Sequence, residues 1–394
     1  MFNVEHLTLY IAKSKIKGIW VANVPTLRFP GFTDEWQKCT ISQFGDIITG
    51  STPSTSNQDN YTDGVYCWAS PSDLNGTKYV YDTKIRLSQK GYDKTRKLPK
   101  DAILVTCIGS TIGKMGMSYT EMSTNQQINA VVVNVSFDKD FVYYAIQSRF
   151  PKYLTSIAVQ AVPILSKSAF GELGNYYPSK LEQKKIGKLL SLLDERIALQ
   201  SKLIEDLKKL KSAIRAAIFQ QLKKTTNQMR AGAELLEYEQ PTKYLVSGTE
   251  YSQDKSLTPV LTANKSLILG YTDEKFGIYK KGDCIILDDF TLDLKYITFP
   301  FKVKSSAIKI LRAKNGVSLR YMYEYLNWLE LTPLGHNRHY ISMIEPMQFY
   351  CPEVQAQEKI ATTLEKADEK IQSESRLFDA LTRQKYYLLS AMFI

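Results

Sequence analysis

Apolar side chains recur at alternating steps of four and three over two long stretches of the chain. In the first they are Ile186, Leu190, Leu193 and Ile197, then Ile204 and Leu207, then Ile214 and Ile218. In the second they are Ile360, Leu364, Ala367 and Ile371, then Phe378 and Leu381, then Leu388 and Met392. A 3.5-residue repeat sustained over about five heptads predicts a coiled-coil helix in each stretch. At about 1.5 Å per residue each helix is roughly 60 Å long. Pro178 and Pro352 open the two stretches, where a missing N–H costs nothing. The stretches are copies of one another. A 174-residue offset holds without a gap from Pro178/Pro352 to Phe219/Phe393, and 14 of the 42 aligned positions are identical, among them Gln183/Gln357, Asp194/Asp368 and Lys211/Lys385.

Polar residues interrupt both seams at matching places, Gln200/Glu374 and Lys211/Lys385. The stepping makes Gln200 and Glu374 d positions and Lys211 and Lys385 a positions. An antiparallel pairing of a with d layers can then place Gln200 opposite Lys385 and Lys211 opposite Glu374, although other registers also align a with d; the alternative is that these side chains snorkel to solvent at the seam edge. Residues 178–224 hold twelve Lys/Arg against five Asp/Glu, and residues 352–394 hold six against seven. Helices of opposite charge balance are expected to attract.

Each helix follows a strand-rich segment, about Val24–Tyr177 and about Glu237–Tyr350. Continuous apolar runs bounded by turn residues predict buried strands at Ala102–Ile108 and Ala130–Val135 in the first and at Asp283–Leu287 and Ser306–Leu311 in the second. The expected plan is an N-terminal extension (1–23), a globular domain (24–177), a helix (178–224), a polar connector (225–236), a second globular domain (237–350) and a second helix (351–394). The fold class is α+β, with two mixed α/β domains and an antiparallel helix pair.

Composition changes this picture in one respect. The 51 Lys/Arg exceed the 40 Asp/Glu by 11 in a chain of 394 residues, which points to a polyanionic partner. Two domains held apart by a rod suit two separated sites on duplex DNA. The five cysteines lack C-x-x-C spacing and fit reduced thiols in the cytoplasm. No run of about 18 apolar residues predicts a membrane span. At the start of the chain, charge follows a short apolar patch, the reverse of a signal peptide.

No catalytic constellation stands out. Gly109-Ser110-Thr111-Ile112-Gly113-Lys114 has three residues between its glycines, where a Walker A loop has four. Asp288-Asp289 lacks a third metal ligand and is expected to be a turn or a base-contacting loop. Loops rich in base-reading side chains are present instead. The candidates are Ser54, Thr55, Asn57, Ser110, Thr111, Lys114, Gln126 and Gln127 in the first domain, and Lys302, Lys304 and Arg338 in the second, with Arg338 in the loop His336-Asn337-Arg338-His339. Ordinary polar surface turns are the plain alternative for each.

From Val24 to Ile394 the chain resembles the specificity subunits of type I restriction-modification systems. The resemblance rests on Pro25-Thr26-Leu27-Arg28-Phe29-Pro30-Gly31-Phe32-Thr33-Asp34-Glu35-Trp36, on the paired Pro-x-x-x-x-Gln-x-Lys-Ile helix starts, and on Leu98-Pro99 through Gly113-Lys114. It implies two target recognition domains, each reading half of an asymmetric bipartite DNA site. The helices would form a spacer that docks two modification subunits. Those partners would carry S-adenosylmethionine and the adenine methylation, with restriction/motor subunits in the full complex, leaving this chain non-catalytic and without a cofactor or metal. A stand-alone DNA methyltransferase or nuclease and a coiled-coil scaffold that does not bind DNA are the rival readings.

Overall fold

The computed structural model describes residues 10–11, 15–16, 19–20, 23–157, 164–262, 267–335 and 337–394. Four helices organise it: α1 (Lys139–Ile157), α2 (Lys180–Thr225), α3 (Leu319–Leu329) and α4 (Val354–Ala391). The chain divides into two compact units, residues 1–202 with 376–394, and residues 203–375.

The first unit is built on a five-stranded sheet of β1 (Gly45–Thr49), β2 (Tyr79–Val80), β3 (Ile103–Thr106), β4 (Met115–Ser118) and β5 (Ile128–Val133), in the order β1-β5-β3-β4-β2. All neighbours are antiparallel except β4 and β2. Side chains alternate between two cores, as the period of two requires. Ile103, Val105, Met117 and Val131 pack with α1, the start of α2 and the end of α4. Leu104, Ile128 and Ala130 face the other way, onto Leu74, Leu98 and Met122. Arg28 and Glu182, both buried, close this unit with a bidentate pair at 2.7 and 2.8 Å.

The second unit repeats the plan. Strands β6 (Leu236–Glu239), β7 (Cys284–Asp288), β8 (Leu294–Ile297) and β9 (Ile308–Ala313) run in the order β6-β9-β7-β8, all antiparallel. Thus β6, β9, β7 and β8 occupy the places of β1, β5, β3 and β4, and among the described residues the parallel edge strand β2 has no counterpart in this sheet. Ile285, Leu287 and Leu311 meet α3, α2 and α4, while Cys284, Ile286 and Ile310 form a separate core with Tyr279 and Phe301.

Two expectations need correction. Strand Met229–Ala231, placed in the connector by its polar sequence, pairs antiparallel with Gln348–Tyr350. It matches Gln37–Thr40, which pairs with Gly174–Tyr177 in the first unit, so the second domain begins inside the expected connector. The expected extension 1–23 lies outside the described residues at 1–9, 12–14, 17–18 and 21–22. Within it, Tyr10–Ile11 pairs with Leu27–Arg28, and Lys15–Ile16 with Ile19–Trp20, so part of the expected extension is strand.

The repeated glutamine explains itself in both units. Gln183 accepts the backbone N–H of Asp138 and donates to the Pro178 carbonyl, both at 2.9 Å. Gln357 accepts the N–H of Ser318 at 2.9 Å and donates to the Pro352 carbonyl at 2.8 Å. Each amide ties the approach to a long helix to the start of the helix before it, satisfying a backbone group on both sides.

The helix register differs from the sequence expectation. Lys385 bonds Asp194 at 2.6 Å in the first unit, and Lys211 bonds Asp368 at 2.6 Å in the second. These are one contact made twice, because both residues shift by the repeat offset. Lys211 therefore meets a carboxylate six residues before Glu374, and Glu374 pairs with Lys370 on its own helix at 2.5 Å. Among the expected seam residues, Ile186, Leu190, Leu193, Leu364 and Leu381 are buried. Ile197, Ile204, Leu207, Ile360 and Ile371 are half-buried.

Candidate nucleic-acid interface

In the first unit the candidate loops come from distant parts of the chain and meet at one end of the sheet. The turn after β3 carries Gly109 and Gly113 at φ +92 and +90, a region that glycine enters without strain. At Gly113 a Cβ would stand 2.7 Å from the Phe150 ring, so the site also demands the absent side chain. The Cys107 N–H donates to the Gln127 carbonyl at 2.7 Å, tying this turn to the one before β5. The Ser51 N–H donates to the Thr124 carbonyl at 2.8 Å, and Thr52 donates its hydroxyl to Gln126.

Most candidates at this end are available to a ligand. Ser54, Thr55, Ser110, Lys114 and Gln126 are exposed, and Asn57, Thr111 and Gln127 are half-buried. Asn57 accepts the Asp59 N–H at 3.1 Å, and Ser54 bonds the Ser56 hydroxyl at 2.8 Å. Gln127 accepts from the Asn125 amide at 3.0 Å. Lys114 borders a 400 Å³ pocket with Leu74, Gly113, Tyr143 and Gln147.

Arg96 was missed by the sequence reading. Its guanidinium donates to the Thr49 carbonyl at 2.7 Å and its N–H to the Ser51 hydroxyl at 3.0 Å, bracing the 50–58 loop from below. A signal existed: residues 84–100 hold seven Lys/Arg and the single acid Asp93. Several of these cations are neutralised locally. Lys90 pairs with Asp59 at 2.7 Å, holding that carboxyl below its usual range, and Arg86 pairs with Asp82 at 2.7 Å.

In the second unit Lys304 and Arg338 are exposed at the corresponding end of the sheet. His336 lies outside the described residues. Lys302 requires correction. It is 3% exposed, and its ammonium bonds Glu274 and the Phe276 carbonyl, both at 2.7 Å. The neighbouring Lys304 and Ser305 suggested surface, but Lys302 lies in a short strand paired parallel to Thr258–Leu261 and points inward. It braces the domain and is withdrawn from the reading surface. Asp288-Asp289 forms a turn. Asp288 accepts the N–H groups of Phe290 and Thr291 at 2.8 and 3.0 Å.

Among the described residues no group of three or more His, Cys, Asp or Glu is placed to hold a metal ion. None of their helices is long and apolar enough to cross a membrane. The five cysteines are buried, and burial pushes Cys39, Cys107 and Cys284 up to about 12. Such thiols are poor nucleophiles.

The fold thus defines a class of chain in which a mixed α/β domain is duplicated and each copy leads into its own long helix. Residues 33–209 match the family model of the type I restriction modification DNA specificity domain, and the chain is similar to specificity subunits of type I restriction enzymes. It is 48% identical over 115 residues to the EcoR124I/EcoR124II specificity subunit of Escherichia coli, covering 28% of each chain. It is 32% identical over 160 residues to the HindI specificity subunit of Haemophilus influenzae, covering 38% of this chain and 34% of that one. The matched segments span about a third or less of these relatives' lengths. The crystal structure of a type I restriction-modification S subunit from M. genitalium shares the fold, with a TM-score of 0.65 at 19% identity over 94% of this chain and 99% of that one.

Proposed function

We propose that this chain is the non-catalytic specificity subunit of a type I restriction-modification complex, reading an asymmetric bipartite site on double-stranded DNA. The observation that carries the reading is the duplicated sheet whose loops expose hydroxyl, amide and cationic side chains at the same end in each unit. Amides and hydroxyls read base edges, and lysine and arginine read guanine or hold phosphate. The family match over residues 33–209 supports it.

The chemistry would belong to partners. In this reading S-adenosylmethionine and adenine methylation reside on two modification subunits, restriction/motor subunits complete the assembly, and the complex works in the cytoplasm. Helix α2 offers a docking stripe outside its seam. Leu192, Leu199, Leu203 and Leu210 are 49%, 69%, 42% and 54% exposed. Leu192 and Leu199 lie in the first unit and Leu203 and Leu210 in the second, each pair seven residues apart and so on one helix face within its unit, and such exposed leucine pairs fit a partner helix.

The test is reconstitution with the modification subunits, a labelled methyl donor and DNA, followed by base-resolved mapping of methylated adenine. One motif of two different half-sites is the expected product. Labelling by this chain alone, or methylation without a sequence motif, would refute the reading. Affinity of the assembled complex should fall steeply with salt, because phosphate contacts release counterions.

A further inference from the structure

The turn after β7 lacks the glycine-lysine element found after β3, and a buried carboxylate occupies that place. Asp289 is 1% exposed. Its N–H donates to the Ala307 carbonyl at 2.9 Å, and its own carbonyl accepts the His339 N–H at 2.9 Å. Its Oδ1 accepts the N–H groups of His339 and Tyr340 at 3.1 and 2.8 Å. Three segments therefore meet at one residue. They are the 288–292 turn, which exposes Phe290; the 304–307 segment, which exposes Lys304, Ser305 and Ser306; and the 337–339 segment, which exposes Asn337 and Arg338.

The charge of Asp289 is deliberate on energetic grounds. Asp288, next to it, already holds the local turn. Oδ2 of Asp289 faces Lys309 Nζ of β9 at 3.6 Å, with both side chains at most 2% exposed. The same ammonium lies 4.8 Å from the centre of the Tyr238 ring. A buried ion pair adds little stability over apolar packing, and its best-attested use is to select one arrangement among several. Here the selected arrangement is the relative placement of three exposed segments.

We propose that Asp289, held by Lys309, is the positioning residue of the second recognition domain, and that it sets base selectivity in that domain's half-site without touching DNA. The inference rests on the DNA-specificity reading. It goes beyond it by assigning selectivity to a residue that no ligand reaches.

The experiment compares wild type, Asp289→Ala, Asp289→Asn and Asp289→Asn/Lys309→Met, each assembled with modification subunits and mapped for methylated adenine. Gln126→Ala identifies the first domain's half-site. Asp289→Ala should raise methylation at sites altered in the other half-site by roughly tenfold relative to the intact site, since the buried Tyr340 N–H loses its acceptor and the buried Lys309 ammonium its counter-charge, while the His339 N–H keeps the Asp289 carbonyl. The first half-site should keep its selectivity. Asp289→Asn keeps an acceptor but strands the Lys309 charge, and should relax the same half-site by roughly threefold, which carries the test if the alanine variant does not assemble. The double variant keeps the acceptor, removes the stranded charge and should recover near wild-type selectivity. A merely structural role would weaken both half-sites together. That outcome, or an unchanged profile in both single variants, overturns the inference. A wild-type complex without a bipartite motif overturns it together with the specificity-subunit reading.

Discussion

The two units solve the same construction problem with different chemistry. In the first, Asp194 is held by Lys385 at 2.6 Å and by the Tyr144 hydroxyl at 2.7 Å. In the second, Asp368 meets Lys211 and Arg320, while fully buried Glu324 gathers Lys211, Arg215 and Arg320 at 2.9, 2.9 and 3.3 Å. The aspartate–lysine contact is the duplicated part. The residue that α1 or α3 brings to it is free to differ, a phenol in one unit and a carboxylate in the other. The sheet ends follow the same logic, with two positive-φ glycines after β3 and a buried aspartate after β7. The common frame lies where the helices meet the sheets, and the divergence lies at the sheet ends that carry the candidate reading loops.

Glu324 gives the largest expected effect. Glu324→Leu leaves three cations at a buried site without their central counter-charge and should cost about 3–5 kcal/mol in the second unit. Tyr144→Phe removes one hydrogen bond to a partly exposed aspartate and should cost about 1 kcal/mol in the first. Hydrogen exchange read by mass spectrometry separates the units. Equal losses would mean the two nodes are energetically alike despite their chemistry.

Divergence at the sheet ends predicts separable reading. Gln126→Ala and Arg338→Ala should each weaken discrimination by about 1–3 kcal/mol at one position, in different half-sites. Base-resolved methylation of the assembled complexes measures it. Relaxation of both half-sites by either variant would break the two-reader picture.

The shared frame predicts matching costs. Gln183→Ala and Gln357→Ala each free a backbone N–H and a carbonyl from an identical clasp, and each should destabilise its own unit by about 1–2 kcal/mol. A difference well beyond that range would show that one clasp has been replaced by other contacts.

Legibility in the sequence followed the range of the interactions. The long helices announce themselves by local periodicity, and their duplication is visible in identities such as Gln183/Gln357. The strands 102–108 and 283–287 were legible because burial on both faces makes a continuous apolar run. Strand Met229–Ala231 was not, because three residues are too short for an apolar-polar-apolar alternation to stand out from a polar connector. The register failed at Lys211 because heptad stepping gives layers but leaves their alignment open, and the deciding aspartate lies at a partly exposed position beside the seam. Asp289 leaves no local pattern, since its acceptors and donors lie 18, 50 and 51 residues on. Lys302 misled because a buried lysine and a surface lysine look alike until the acid that receives it, Glu274, is placed in space.

The Lys302–Glu274 pair gives the smallest and most diagnostic effect. The first unit braces its candidate loop with Arg96 on backbone carbonyls, which do not titrate, whereas the second places a buried ammonium on a carboxylate. The hydrogen bond from Lys302 holds the Glu274 carboxyl below its usual range. A depressed folded-state pKa means that the unfolded chain takes up the proton first. Stability from the pair is therefore complete above the ordinary glutamate range near pH 4.3, and is lost as pH falls through the folded-state value. Glu274 is partly exposed, so the contribution is about 1 kcal/mol or less. Glu274→Gln should lower second-unit stability slightly at neutral pH, and the gap from wild type should close on acidification. A gap that stayed constant with pH would show that the amide loses packing rather than charge, and that the second unit's brace does not depend on the ion pair.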